Sequence, residues 1–460
     1  MSRKKKRRQS QNKTKGRNKT MKMNREILRL ALPNIVSNVT IPLLGMIDIA
    51  IAGRIGDDAT IGALAIGTAI FNFIYWNFAF LRMGTSGLAA QAYGAGDKRE
   101  TANILGRSMM AAFGIAFLLL LFNRPLGAFA MSIMKGGSAE VMSLAAEYFY
   151  ARIWAAPAAI AIFSLHGWLI GMQDSTTPMV VSIINNLVNV ACSLWFVFGL
   201  DMGVVGIAWG TVVAQYVGLA ITLLILAVRY RDYIRAVSLR ESLRMEPLVR
   251  FFRINSDAFL RTLCVCTVYT CFTAFSARFG DTVLATNELL MQLFMLFSYM
   301  LDGFCYAAES LTGRFIGERN GERLRQSNRH LLVWSAGVAA IYIVAYIFWW
   351  EPILGIFTSS PTIMACAEEY IGWIVMVPLV GFIPFLIDGI LIGATKTRIM
   401  RNTTFFSLVA FFVLFFGLEW WLGNRALWIA FIGFIVVRFV LMLVATKGVN
   451  TELLMDTSRE

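Results

Sequence analysis

Residues 29–58 read RLALPNIVSNVTIPLLGMIDIAIAGRIGDD, apolar and long enough to cross a bilayer, yet with a carboxylate, Asp48, deep inside the run. A charged side chain within a transmembrane helix costs about 2.5–3.5 kcal/mol on insertion scales, so by default it marks a function. Asn34, Asn38, Ile41, Gly45 and Asp48 follow at spacings of 4, 3, 4 and 3, which stacks them on one helical face. Such a face can exchange a proton or hold a small cation. The structural alternative is an aspartate that merely hydrogen-bonds a neighbouring helix. Pro33 and Pro42 each remove a backbone donor, so the helix is expected to bend or open there and to serve as a moving part.

The rest of the chain must position that face. Its 460 residues are 57% hydrophobic and 15% charged, with a mean hydropathy of +0.63, whereas soluble domains carry about 25% charged residues. The sequence therefore describes an all-α polytopic membrane protein. Six cysteines fall nearly all within apolar segments and form no CxxC pair, and His166 and His330 are the two histidines. That pattern offers neither a disulfide framework nor a metal cluster, and no cofactor is expected. No Gly-rich phosphate loop and no HExxH motif appears, and two histidines give no Ser-His-Asp candidate, which argues against an enzyme.

Residues 1–25 hold twelve Lys or Arg and little to bury. They read as a disordered basic tail at the membrane surface rather than a cleavable signal peptide or a nucleic-acid-binding arm. Apolar segments follow near 27–52, 59–83, 104–123, 144–170, 178–198 and 203–228. Six more run near 254–276, 283–310, 331–349, 365–393, 402–422 and 426–446. Each is about the 20 residues that a helical span requires. With both termini cytoplasmic, 32 of the 42 basic residues lie inside and five outside. The remaining five (Arg29, Arg82, Arg152, Arg261 and Arg438) lie within spans. The asymmetry orients the protein by the positive-inside rule.

The chain is also a duplication. Arg54-Ile-Gly56-Asp57 recurs as Arg278-Phe-Gly280-Asp281, Gly94 as Gly317, and Gly167 and Gly171 as Gly389 and Gly393, all at offsets of 222–224. Six spans per copy is an even number, so both copies insert alike, related by a pseudo-two-fold along the membrane normal. The expected units are a basic tail (1–25), a first six-helix lobe (26–228) and a cytoplasmic connector (229–253). A second six-helix lobe (254–446) and a cytoplasmic tail (447–460) follow. Arginines interleaved with apolar residues suggest that the connector holds a surface helix, the alternative being a solvated linker.

Several motifs now carry a resemblance. Ala31-Leu32-Pro33, Met46-Ile47-Asp48, Gln91-Ala92-Tyr93-Gly94, Gly171-Met-Gln173-Asp174 and Phe198-Gly199 resemble the multidrug and toxic compound extrusion (MATE) family. Asn255-Ser-Asp257 with Arg261, Leu301-Asp302-Gly303-Phe304 with Glu309, and Asp388-Gly389 resemble its DNA-damage-inducible F branch. The resemblance implies two lobes around a V-shaped cavity. It also implies export of amphipathic or cationic compounds across the bacterial inner membrane, against an inward H⁺ or Na⁺ gradient, and a monomer is expected. Asp48 would be the ion-coupling carboxylate. A lipid-linked saccharide flippase of the same superfamily is the alternative; it would need several unpaired arginines deep in the cavity.

The fifth span departs from many relatives, with Ser193 where an acid would follow Asn189 by four residues. Asn189 and Ser193 are expected to complete the ion site beside Asp48. One carboxylate with amides and a hydroxyl favours H⁺ over Na⁺, which needs several converging oxygens. In the second lobe, Asp257 and Arg261 stand at i and i+4, suited to an intrahelical ion pair. Asp302, Glu309 and Asp388 are further acids in or near spans, Glu309 close enough to the cytoplasmic side to be a helix-end residue. Glu288 and Arg438 could satisfy one another across helices. With Asn34 and Asn38, the residues Asp257, Arg261, Asp302 and Asp388 are candidates for the substrate cavity.

Overall fold

Long apolar helices run the length of the computed structural model, which describes residues 2–55, 58–134 and 138–446. Side chains are described from Thr20 onward, except those of Ile41, Ile55 and Asp58; residues 1, 56–57, 135–137 and 447–460 lie outside the described residues. The first six spans are α1 (Thr20–Arg54), α2 (Ala59–Gly94), α3 (Lys98–Leu121), α4 (Ala139–Gly171), α5 (Thr176–Gly199) and α6 (Gly203–Arg229). The second six are α7 (Met245–Phe279), α8 (Asp281–Gly317), α9 (Gly321–Phe348), α10 (Pro361–Gly393), α11 (Thr397–Leu422) and α12 (Asn424–Thr446). They form two six-helix lobes.

Local chemistry shapes several spans. The helix containing α1, Ser2–Ile55, passes through Pro33 and Pro42 without a break, so the expected opening at the prolines is absent. It also reaches back through the basic tail expected to be disordered, whose Lys, Arg and Gln are good helix formers. Proline acts instead in α4. There, Ala139–Arg152 gives way to a 3₁₀ turn, Ile153–Ala155, just before Pro157 starts Ala156–Gly171. α2 is likewise interrupted, at Ala79, between Asp58–Phe78 and Phe80–Gly94.

The connector differs from both expectations. Arg231–Ile234 and Leu239–Ser242 are short helices, and the seventh helix already begins at Met245. The segment docks on α3: Asn103 Nδ2 donates to Glu241 (3.0 Å), and Arg107 Nε donates to the Ser242 carbonyl (3.3 Å).

The two lobes meet at the end that carries the basic loops. Leu30, Ala31 and Ile35 of α1 bury against Phe304, Ala307, Ala308 and Leu311 of α8. Next to this core, backbones touch. A Cβ on Gly94 would strike the carbonyl of Arg314, and a Cβ on Gly317 would strike the carbonyl of Gln91. Each glycine of the repeated pair thus packs on the other copy, as a two-fold relation requires. The same relation holds inside the lobes. Gly167 packs on the backbone of Arg82 and Gly171 on that of Ser86, while Gly389 packs on Cys305 and Gly393 on Glu309.

These contacts set a clear contrast. Gly317→Ala should destabilise by about 1–3 kcal/mol, because backbone cannot yield to a new methyl as a side chain can. Gly337→Ala meets nothing within 4 Å and should hold or gain up to about 1 kcal/mol from helix propensity. Thermal unfolding of the two purified variants in detergent checks this; equal midpoints would refute the tight seam.

Candidate functional site

Asp48 lies on α1 partly buried, and its Oδ1 is enclosed without a hydrogen-bond partner. The countercharge acting on it is Arg152, at the end of the first helical piece of α4. That guanidinium is held by its own surroundings: Nη1 donates to Tyr148 Oη, and the group lies 5.0 Å from the Phe71 ring centre. Its Nε and the hydroxyl of Tyr75 are buried without partners. The first lobe therefore gathers one carboxylate, one guanidinium and two tyrosines, all from spans. The cation beside Asp48 thus comes from the fourth span.

The polar stripe of α1 divides along its length. Asn34 Nδ2 donates to the Leu30 carbonyl (2.7 Å) and to Ser175 Oγ (3.0 Å), within the first lobe. Asn38 Nδ2 reaches across to the Tyr299 carbonyl of α8 (3.3 Å). The fifth-span residues do not turn to Asp48. Asn189 Nδ2 donates to Thr211 Oγ1 on α6 (3.0 Å), and Ser193 sits against Gly210 with its Oγ unpartnered. The small residues of α6 let α5 approach so closely that this face packs there instead. Asn186 reaches α1 by a hydrogen bond, its Nδ2 donating to the Thr40 carbonyl at 3.4 Å.

In the second lobe, ion pairs run between helices. Arg261 Nη2 donates to Asp388 Oδ2 at 2.5 Å, and Arg438 Nη2 donates to the same oxygen. Asp257 pairs with Arg401 (2.5 Å) and accepts from Thr397 (3.4 Å). The expected Asp257–Arg261 pair is therefore not formed. Asp257 has Arg401 beside it, which leaves Arg261 to join Arg438 on the buried Asp388. The expected Glu288–Arg438 contact is also absent: Glu288 accepts from Thr273. Asp302 makes no hydrogen bond among the described residues, and the charges acting on it are Arg82, Arg261 and Asp388. Glu309 is no helix-end residue. It is wholly buried and accepts from Arg82 Nη1 across the lobe boundary at 3.4 Å.

The residues that sequence reasoning left aside are thus arginines. Arg82 and Arg152 each sit in a polar cluster with an acid, Glu309 and Asp48 respectively. A signal existed, because four of the five basic residues within spans (Arg82, Arg152, Arg261 and Arg438) end in these clusters. Asp174, by contrast, is structurally satisfied: it caps α5 through Thr177 and accepts from Arg229 and Tyr230. Among the described residues, no group of three His, Cys, Asp or Glu is arranged to hold a metal ion.

Comparison with known proteins follows this geometry. The MatE family model matches residues 33–195 and 258–416. DNA damage-inducible protein F of Escherichia coli K12 is 36% identical, over 89% of this chain and 89% of its own length. The probable multidrug resistance protein NorM of Thermotoga maritima is 26% identical over 91% of each. Among solved structures, a MATE protein in its bent conformation superposes with a TM-score of 0.82 at 19% identity, covering 94% of this chain and 95% of that one. That likeness is one of fold. With two matched segments covering most of both lobes and a full-length relative above 30% identity, the chain belongs to the MatE family of multidrug efflux transporters.

Proposed function

We propose that the protein exports amphipathic or cationic organic compounds by antiport with H⁺, and that Asp48 is the coupling carboxylate. The observation that carries this reading is the buried Oδ1 of Asp48, without a hydrogen bond, on a spanning helix. Asp257, Glu309 and Asp388 each hold an arginine within ion-pair distance, while Asp48 holds none. A carboxylate left without a fixed partner can gain and lose a proton without dismantling a salt bridge. The choice of H⁺ over Na⁺ rests on the donor set: Asn189 donates to Thr211 and Ser193 packs on Gly210, so they do not add the several converging oxygens that Na⁺ needs. Asn189 and Ser193, turned toward α6, shape the wall of this lobe rather than ligate beside Asp48. In the second lobe, Asp302, with no ion pair, is the acid best suited to meet a cationic substrate. Asn34, Asn38, Asp257, Arg261 and Asp388 act through helix contacts around it. The paired state of Arg82, Arg261 and Arg438 favours export over a flippase, which would keep arginines free for a pyrophosphate.

The chain is proposed to act as a monomer in the bacterial inner membrane with its basic loops in the cytoplasm. A cysteine replacing Arg240, exposed in the connector, should resist a membrane-impermeant maleimide in intact cells and react once they are opened. Labelling in intact cells would invert the orientation.

Asp48→Asn keeps size and hydrogen bonding but cannot lose a proton. It should insert and fold normally while uphill dye export falls by about two orders of magnitude or more, comparable to about 3 kcal/mol of lost coupling. Undiminished export by this variant removes Asp48 from the mechanism.

The coupling ion is decided separately, in liposomes of purified protein with one gradient imposed at a time. A pH gradient without Na⁺ should drive dye efflux, and a Na⁺ gradient at equal pH should not. The reverse result would identify Na⁺ as the ion.

A further inference from the structure

Arg25 and Arg29 stand four residues apart near the start of α1, both exposed, with Arg29 roughly 28 Å along the helix from Asp48. They border an open groove of about 580 Å³, with Leu28, Leu32 and Pro33 on the same helix and Thr176, the first residue of α5, across from them. Among the described residues, neither arginine has a hydrogen bond or an ion pair. The nearby acids are engaged elsewhere. Glu26 accepts from Arg323 at 3.3 Å, and Asp174 caps α5 and accepts from Arg229 and Tyr230. Like charges at i and i+4 repel one another, and no acid among the residues lining the groove offsets them.

The apolar part of the groove continues along the helix. Leu32, Val36 and Leu43 are exposed at spacings of 4 and 7, on the face that carries both arginines. The opposite face, with Ile27, Leu30, Ala31 and Ile35, is packed in the core shared with α8. From Leu32 to Leu43 the helix rises roughly 16 Å, about half of a hydrocarbon core some 30 Å thick. From Arg29 to Arg54 it rises roughly 37 Å, which sets the two arginines at headgroup level. An occupant that fits is anionic at one end and apolar over the depth of one leaflet.

We propose that the groove binds an anionic phospholipid, its phosphate held between Arg25 and Arg29 and an acyl chain laid along Leu32, Val36 and Leu43. Each guanidinium presents paired N–H donors that match phosphate oxygens, and one phosphate between the two relieves their repulsion. A lipid seated there touches both α1 and α5, and so ties the start of the helix that carries Asp48 to the first lobe. The site depends neither on Asp48 nor on the identity of the coupling ion. Its place in the inner leaflet follows from the orientation proposed above.

Native mass spectrometry of the purified full chain, released from micelles with equal amounts of dioleoyl phosphatidylglycerol and dioleoyl phosphatidylcholine, tests the site. Bound phosphatidylglycerol should exceed phosphatidylcholine by roughly tenfold or more. Arg25→Gln/Arg29→Gln should lower that ratio at least fivefold, although the rest of the basic tail is intact. Arg235→Gln/Arg240→Gln removes two exposed charges from the connector instead and should keep the ratio. Asp48→Asn should keep it too, so a wrong coupling assignment leaves the result untouched. Equal binding of the two lipids by the wild-type chain overturns the proposal and needs no variant to fold. A wild-type ratio in Arg25→Gln/Arg29→Gln also overturns it, and an equal loss in the connector variant does so by showing diffuse attraction. Millimolar inorganic phosphate should leave the lipid in place; displacement would make the groove a phosphate site and refute the lipid.

Discussion

Charge buried in a span dominates this structure. Within a helix bundle surrounded by lipid, an ionised side chain that lacks a partner is costly, so the buried arginines of the spans draw an acid or an aromatic face toward them. Asp388 gathers Arg261 from α7 and Arg438 from α12, tying three helices of the second lobe together around one carboxylate. Arg152 is satisfied differently, by Tyr148 and the Phe71 ring, which leaves Asp48 without an ion pair. The two lobes are thus alike in fold and unlike in electrostatics. One clamps its acid between two guanidinium groups, and the other keeps its acid available.

Much of the fold was legible because its causes are local or repetitive. Twelve apolar runs of spanning length, an offset of about 223 residues and a one-sided distribution of Lys and Arg need no tertiary knowledge. The repeated glycines marked the duplication, and the structure supplies what they pack against: backbone carbonyls of Gln91 and Arg314 across the lobes, and of Arg82 and Cys305 within them. Helix shape was less legible. The prolines of α1 leave the helix unbroken, whereas Pro157 accompanies a change of helix type in α4, and proline alone does not say which will happen.

Partner choice was the least legible level. Spacing proposed Asp257 with Arg261, since four residues place them on one helical face. Tertiary packing overrode that local preference, sending Asp257 to Arg401 and Arg261 to Asp388. The fifth span shows the same limit. Asn189 and Ser193 do share a face, but periodicity cannot say which neighbour that face meets, and the small residues of α6 decided it. Conversely, an arginine inside an apolar run was already an expensive choice in the sequence, and treating its cost as seriously as that of an aspartate would have marked Arg82 and Arg152.

The duplication makes the lobe boundary more informative than either lobe. Arg82 corresponds to Cys305 and Ser86 to Glu309, each 223 residues on, and the equivalent glycine contacts support both assignments. A strictly symmetric seam would carry two crossing ion pairs or none. With two, four charges would be buried where backbones touch, and the desolvation penalty would grow with each. With none, the seam would be held by apolar and backbone contacts alone. This chain keeps a cation in one copy and an acid one turn along in the other, while the symmetry-related positions hold a cysteine and a serine. The outcome is one neutral pair across the boundary, a single acid for a single cation.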